Sequence, residues 1–163
     1  MRERDWTNRP LAVGQRIEAA GLVAERAAPE QACLVSGDLE AAIAALCAGA
    51  PFVGLDQDRP ERAAIRIARD RVMLVGCEAG AEWRDGYAIS PATGLYARFD
   101  LSGPGVAAAL AEGTSADLEA GSPSAAVLFA GLVCLLTRRG ETAELWVEAA
   151  QATYMTSWLA GRQ

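Results

Sequence analysis

The sequence predicts an α+β fold made of two related halves, each built of antiparallel strands and helices. Three observations predict it. Short apolar strand candidates are joined by turns too tight for parallel crossovers, which need roughly a dozen residues or more. A strand, a Ser-Gly pair and an alanine-rich helix follow one another twice, at Ser36-Gly37 and again at Ser102-Gly103. The chain of 163 residues, 52% of them apolar, has the length and hydrophobic content of one domain with a real core.

The elements follow in order. Arg9-Pro10-Leu11-Ala12 precedes a short helix predicted around Gln15 to Ala20 and ended by Gly21. Ala32 to Val35 is an apolar strand, broken by Ser36-Gly37, with Asp38 placed as a helix N-cap. Leu39, Ala42, Ile43, Leu46 and Cys47 then recur at helical spacing along one apolar face, which Gly49 and Pro51 end. Residues 50–61 read as a loop. Ala63 to Ala68 reads as a strand with Ile65 and Ile67 on one face and Arg66 on the other, Arg69-Asp70 as a turn, and Arg71 to Val75 as a more buried strand. Residues 77–92, rich in glycine and charge, read as loop.

In the second half Leu95, Ala97, Phe99 and Leu101 alternate with Tyr96, Arg98 and Asp100, the pattern of a half-buried strand. Ser102 to Gly105 breaks it, and a helix carrying Val106, Ala109 and Leu110 runs to Gly113. Ala126 to Leu136 reads as one buried strand, Arg139-Gly140-Glu141 as a turn, Glu144 to Val147 as the antiparallel partner, and Ala149 to Leu159 as a closing helix. The pseudo-repeat spans 30–80 and 94–160 of a single domain.

Composition narrows the function. There is no histidine, which removes Ser-His-Asp and Cys-His catalysis, histidine metal ligands and the commonest general base near neutral pH. Cysteines and carboxylates are the remaining candidates. The net charge of −6 and the lack of any basic patch argue against nucleic acid and anionic membrane as partners. The start of the sequence, Met1 to Trp6, is charged and has no secretory apolar core, and the longest apolar run, Ala125 to Leu136, falls short of the roughly 20 residues a bilayer needs. A cytoplasmic location is the expectation. Cys33, Cys47, Cys77 and Cys134 form no C-x-x-C pair and are expected as buried free thiols, their spacing giving no support to a zinc site.

Each remaining motif has a modest reading. Gly103-Pro104-Gly105-Val106-Ala107-Ala108 matches G-x-G-x-x-A between a strand and a helix, where amide groups could hold a phosphate. Its strand alternates in polarity, no acidic residue closes a second strand, and proline stiffens the loop, so a plain strand-to-helix turn is expected. Asp56, Asp58 and Glu61 lack the glycine and terminal glutamate of a calcium loop and read as a solvated loop. Asp117 reads as a turn or capping residue, and Ser90-Pro91 and Ser122-Pro123 as turn starters. No catalytic or metal-binding residue is assigned. Trp146, Tyr154 and Trp158 gather in the last strand and helix, where they serve the core or a partner interface.

Several stretches carry a family resemblance. Gly94-Leu95-Tyr96-Ala97-Arg98-Phe99-Asp100-Leu101-Ser102-Gly103-Pro104-Gly105 resembles the strand and "L-S-G-P-x-A" of the gamma subunit of heterotetrameric sarcosine oxidase. Gly113 to Leu118 resembles that family's loop ending in "D-L", and Leu145-Trp146-Val147 through Tyr154-Met155-Thr156-Ser157-Trp158-Leu159 resembles its ending. Arg9-Pro10-Leu11-Ala12 resembles its "S-P-L" opening, and Thr114 departs from the family by standing where a cysteine is common. The resemblance implies the folate-binding-domain fold of glycine-cleavage T-proteins, a duplication of two α+β subdomains. It also implies a non-catalytic subunit of a complex that oxidises N-methyl amino acids. Alpha, beta and delta subunits would be its partners, and these would carry the flavins (FAD and FMN), NAD, zinc and tetrahydrofolate. The alternative is a stand-alone folate or one-carbon binding module on the same fold.

Overall fold

Two six-stranded sheets lie face to face, with helices on their outer faces. The computed structural model describes residues 9–162. In chain order the elements are β1 (Arg16–Ala19), β2 (Leu22–Arg26), β3 (Ala32–Gly37), α1 (Leu39–Leu46), β4 (Phe52–Val53), β5 (Ala63–Ala68), β6 (Arg71–Val75), β7 (Glu82–Arg84) and β8 (Tyr87–Pro91). Then come β9 (Tyr96–Ser102), α2 (Val106–Gly113), β10 (Ala126–Phe129), β11 (Leu132–Arg139), β12 (Thr142–Glu148) and, after a 3-10 turn at Ala149–Gln151, α3 (Ala152–Ala160). The first sheet runs β1-β2-β9-β12-β11-β10 and is antiparallel throughout; the second runs β4-β5-β6-β3-β8-β7 and is antiparallel except for β4 beside β5. The architecture is therefore α+β.

Three apolar layers follow from the strand patterns. Phe99, Leu101, Leu136 and Leu145 on the outer face of the first sheet pack with Leu110 of α2 and Met155 and Leu159 of α3. Val35, Val72, Leu74 and Ile89 on the outer face of the second sheet pack with Leu39, Ala42 and Ile43 of α1. Between the sheets lie Ile65, Met73 and Val75 from one side and Leu135 and Trp146 from the other, together with Ala32, Ala63, Ala92 and Ala125. Central strands are thus covered on both faces, and β6 and β12 are buried nearly throughout.

The two sheets share an order. In each, a central strand (β3 or β9) has on one side its last hairpin strand (β6 or β12), then β5 or β11, then β4 or β10; on its other side lies a two-stranded hairpin. That hairpin is exchanged. β1–β2 precedes β3 in the chain but pairs with β9, and β7–β8 precedes β9 but pairs with β3. The correspondence stops at the far edge, where β4 is parallel to β5 while β10 is antiparallel to β11.

The Ser-Gly pairs sit where each exchanged hairpin touches its central strand. The Asp38 N–H donates to the Gly86 carbonyl at 2.8 Å, and the Gly105 N–H donates to the Gly21 carbonyl at 3.0 Å. Gly37 (φ 110°) and Gly103 (φ 92°) adopt the left-handed region, and a Cβ on them would lie 2.3 Å from the Gly86 oxygen and 2.6 Å from the Gly21 oxygen. Only glycine admits both the dihedral and the close approach. Asp38 caps α1 as the sequence suggests, its carboxylate accepting the Ala41 N–H at 3.0 Å.

Four expectations are corrected. The helix predicted around Gln15 to Ala20 is the β1–β2 hairpin, turned at Ala20 (φ 50°) and Gly21 (φ 75°). Pairing of β2 with the distant β9 decides that segment over its weak local preference. The single strand predicted over Ala126 to Leu136 is the β10–β11 hairpin, turned in the same way at Ala130 (φ 50°) and Gly131 (φ 82°). The loop predicted over 77–92 holds the β7–β8 hairpin, whose Asp85-Gly86 turn is a recognised hairpin signal. Finally, Cys47 and Cys77 are paired as a disulfide, their Cα atoms 5.8 Å apart, while Cys33 and Cys134 are buried free thiols. Cys47 at the end of α1 and Cys77, two residues past β6, meet in one core cluster, a proximity that sequence separation conceals.

Candidate functional site

The densest polar feature is a charge cluster at the seam between the sheets. Arg59, in the loop before β5, is 2% exposed. Its Nε and Nη2 donate to Glu144 Oε2 and Oε1 at 2.7 and 2.8 Å, and its Nη1 and Nη2 donate to Glu30 Oε2 and Oε1 at 3.0 and 2.9 Å. Its backbone is fixed to β11, the Arg59 N–H donating to the Arg138 carbonyl at 2.7 Å. On β11 the Thr137 hydroxyl donates to Glu144 Oε2 at 2.8 Å and accepts the Trp146 indole N–H at 3.2 Å. Arg98 on β9 pairs with Glu30 and donates to Asp100 at 2.7 Å. The guanidinium carbons of Arg59 and Arg98 lie 5.2 and 5.3 Å from the Trp146 ring centre.

Burial alone pushes the Glu144 carboxyl up, but the Arg59 hydrogen bonds and charge, the Thr137 hydroxyl and Arg98 outweigh it and hold the carboxyl below its ordinary value. Burial pushes Asp100 above its ordinary value against the pull of Arg98. Glu144 is an anion held by guanidinium groups, with both of its oxygens hydrogen-bonded. Such a group is poorly suited to take up a proton near neutral pH, and the arrangement works as a clasp between the sheets.

A separate cleft of about 450 Å³ opens beside α2. Pro104, Val106, Leu110, Leu118 and Ala143 line it, with Asp56 and Arg138 also in the lining, paired at 3.3 Å. The G-x-G-x-x-A segment forms part of its wall. Gly105 N–H is used by Gly21 and Val106 N–H donates to the Gly103 carbonyl at 3.2 Å. The preceding strand β9 has antiparallel neighbours on both sides, so the βαβ crossover of a dinucleotide site is missing here. The segment is a strand-to-helix turn.

The other singled-out residues are dispersed. Asp56 faces Arg138, Asp58 accepts the Gly140 N–H at 3.2 Å, and Glu61 is exposed. Among the described residues no three His, Cys, Asp or Glu side chains gather as a metal site. Asp117 Oδ1 accepts the Glu119 and Ala120 N–H groups at 3.1 and 3.0 Å, a turn role. Ser90 and Pro91 lie in β8, and Ser122 Oγ accepts the Ser124 N–H at 3.1 Å. Thr114 Oγ1 likewise accepts the Ala116 N–H, also at 3.1 Å.

Trp146, Tyr154 and Trp158 do not share one surface. Trp146 is 3% exposed in the inter-sheet layer, and Trp158 is half-buried edge-on to Phe129 at 5.1 Å on the other face of the first sheet. Tyr154 is open, and its hydroxyl donates to the Ala130 carbonyl at 2.8 Å. Near that turn are two exposed residues that sequence reasoning missed, Leu128 and Val133, hidden by the apolar run that reads as one buried strand. No helix among the described residues is long and apolar enough to cross a membrane.

Fold and site define a two-sheet α+β protein whose seam is closed by an internally matched charge cluster. No family model matches the sequence, and no curated protein does. Among solved structures it is similar to a chain of the heterotetrameric sarcosine oxidase from Corynebacterium sp. U-96, solved in complex with pyrrole 2-carboxylate. The match has a TM-score of 0.64 at 16% identity and covers 94% of this chain and 90% of that one. The likeness is one of fold.

Proposed function

We propose that this chain is a gamma-type, non-catalytic subunit of a heterotetrameric sarcosine oxidase-like complex acting on N-methyl amino acids. The observation that carries the reading is the fold match, which extends over nearly the whole of both chains. It meets the motifs at Gly94 to Gly105 and Tyr154 to Leu159 independently. A chain without histidine has no side chain for a histidine-linked flavin, and its most buried carboxylate, Glu144, is occupied by Arg59. FAD, FMN, NAD and tetrahydrofolate would lie on alpha, beta and delta type partners, in the cytoplasm. The common order of the two sheets supports an ancestral duplication covering 30–80 and 94–160, with the hairpins exchanged between the halves.

Co-expression with the products of adjacent genes tests the reading. A yellow complex that retains this chain through size exclusion is the expected result; a colourless monomer eluting apart from a flavin-bearing assembly would overturn it. The cleft beside α2 favours a second reading, a stand-alone folate or one-carbon binding module. Titration with tetrahydrofolate, read by the fluorescence of the four tryptophans, separates the two. Saturable quenching of the isolated chain supports the module, and its absence leaves the subunit reading alone.

A further inference from the structure

The two sheets have four edge strands, and three are protected. β1 carries Arg16 and Glu18, β7 carries Glu82 and Arg84, and β4 is only two residues long. β10 reads Ala126-Val127-Leu128-Phe129 and has neither charge nor proline. Charge, brevity and proline are the devices by which sheet edges avoid pairing with other chains, and here they are missing.

The outward backbone of β10 is only partly occupied. The Leu136 N–H donates to the Ala125 carbonyl, which turns odd-numbered residues toward β11 and even-numbered ones outward. Outward, the Ala126 N–H donates to Ser124 Oγ at 3.2 Å and the Ala130 N–H to the Gly113 carbonyl at 2.7 Å. The Ala130 carbonyl accepts from Tyr154. Between these fixed points Leu128 turns its N–H and its carbonyl outward, without a partner among the described residues. A groove of about 400 Å³ runs along this edge, bounded by Thr114, Ala116, Asp117 and Ser122. The Leu128 side chain is 64% exposed and its cross-strand neighbour Val133 is 68% exposed. They continue the face on which Ala126 and Leu135 join the inter-sheet core.

We propose that the outer edge of β10 is a docking strand for a partner protein. The partner supplies an extended segment that exchanges backbone hydrogen bonds with Leu128 and lays an apolar side chain on Leu128 and Val133. A basic residue of the segment faces Asp117; among the described residues Asp117 has no ion pair and no cation lines the groove. An extended backbone is what an orphaned N–H and C=O pair recognises, with side chains on alternate positions giving selectivity. A second copy of this chain suits the edge poorly, since it would bring a net charge of −6 and the same Asp117 to the contact. The inference stands apart from the subunit reading, because it concerns any partner with such a segment.

The test uses the ¹⁵N-labelled full chain and an acetylated, amidated Lys-Thr-Val-Thr-Lys pentapeptide, whose central valine falls on the Leu128 face, with a copy N-methylated at its central amide as control. Amide exchange of Leu128 is expected to slow by about tenfold or more at saturating peptide, as for an edge amide newly hydrogen-bonded. The N-methylated copy should not slow it. Asp117→Asn, which keeps the turn-forming oxygen, should weaken binding about threefold, an effect that fades above about 0.5 M salt. Absence of saturable slowing at Leu128 would overturn the proposal. So would equal slowing by the N-methylated peptide, or protection without peptide that grows with protein concentration, which would mark pairing between copies.

Discussion

Replacing Arg59 with methionine removes the hub of the seam cluster while keeping much of its bulk. Glu144, 1% exposed, would then retain the Thr137 hydroxyl, with Arg139 Nε at 3.7 Å and Arg98 Nη1 at 3.8 Å as its nearest cations. Breaking a buried, hydrogen-bonded ion pair from one side costs about 3–5 kcal/mol, because the remaining charge loses its partner without regaining water. Arg59→Met is therefore expected to lose that amount near neutral pH, read from urea unfolding by tryptophan fluorescence, to which Trp146 beneath Arg59 contributes. Arg59→Lys should lose most of it too, since one ammonium cannot grip two carboxylates bidentately. The pH dependence has a definite sign. Glu144 is held below its ordinary value, so its contribution is present above the unfolded-state pKa and is lost as pH falls through the folded one. In Arg59→Met the largest opposition to desolvation is gone, while the Thr137 hydroxyl and the more distant Arg98 still pull down on Glu144, so its carboxyl rises. The stability gap between the two proteins should then narrow between about pH 7 and pH 4. A loss below about 1 kcal/mol, the range of exposed pairs, or a gap constant across that pH range, would refute the clasp.

Three further outcomes follow from the backbone and the thiols. Cys47→Ala should lower stability by about 3–4 kcal/mol under oxidising conditions, the chain-entropy value for a cross-link spanning 30 residues, and by much less with dithiothreitol present. Under the same conditions Cys134, its thiol pushed up to about 12 by burial, and Cys33, pushed up for the same reason, should alkylate only as fast as the protein unfolds. Gly103→Ala should cost about 2 kcal/mol or more, because the new Cβ meets the Gly21 carbonyl at a positive φ; Gly140→Ala, also at positive φ but with nothing within 4 Å, should cost about 1 kcal/mol. Equal losses in the two glycine variants, measured by thermal unfolding, would mean that the exchanged hairpin does not press on its central strand.

What was legible in the sequence was local. The alternation of β9, the Asp38 cap, the face of α1 and the closing helix depend on neighbours a few residues away, and each stands where the pattern puts it. Two of the missed hairpins join a distant strand, β1–β2 at β9 and β7–β8 at β3, while the third, β10–β11, is a local pair. Ala20-Gly21 and Ala130-Gly131 turn their hairpins at positive φ without the asparagine or aspartate that usually announces such a turn. Asp85-Gly86 does announce one and was legible in principle. The charge cluster was concealed differently. Arg98 and Asp100 alternate with buried residues and so read as a solvent face, but that face meets the second sheet. Glu144, set among Ala143, Leu145 and Trp146, was the clearest available signal, an acid in the apolar middle of its strand.

The placement of these charges follows from the shape of the seam. Its inner layer is rich in alanine, with Met73, Ile65, Leu135 and Trp146 as the larger members. Small side chains let two sheets approach but offer little to set their register, since apolar contact is non-directional. The Arg59 fork is directional. It ties the loop before β5, and through Glu30 the approach to β3, onto β12 of the other sheet. The exchanged hairpins bind the same two bodies covalently, because each sheet borrows two strands from the chain segment that precedes the other sheet's central strand. Neither half could leave without opening an edge at β3 or β9 and stranding Glu144 without Arg59. A chain joined in this way resists hinge motion between its sheets, so any partner docked at β10 or at the α2 cleft would meet one rigid surface and not two mobile lobes.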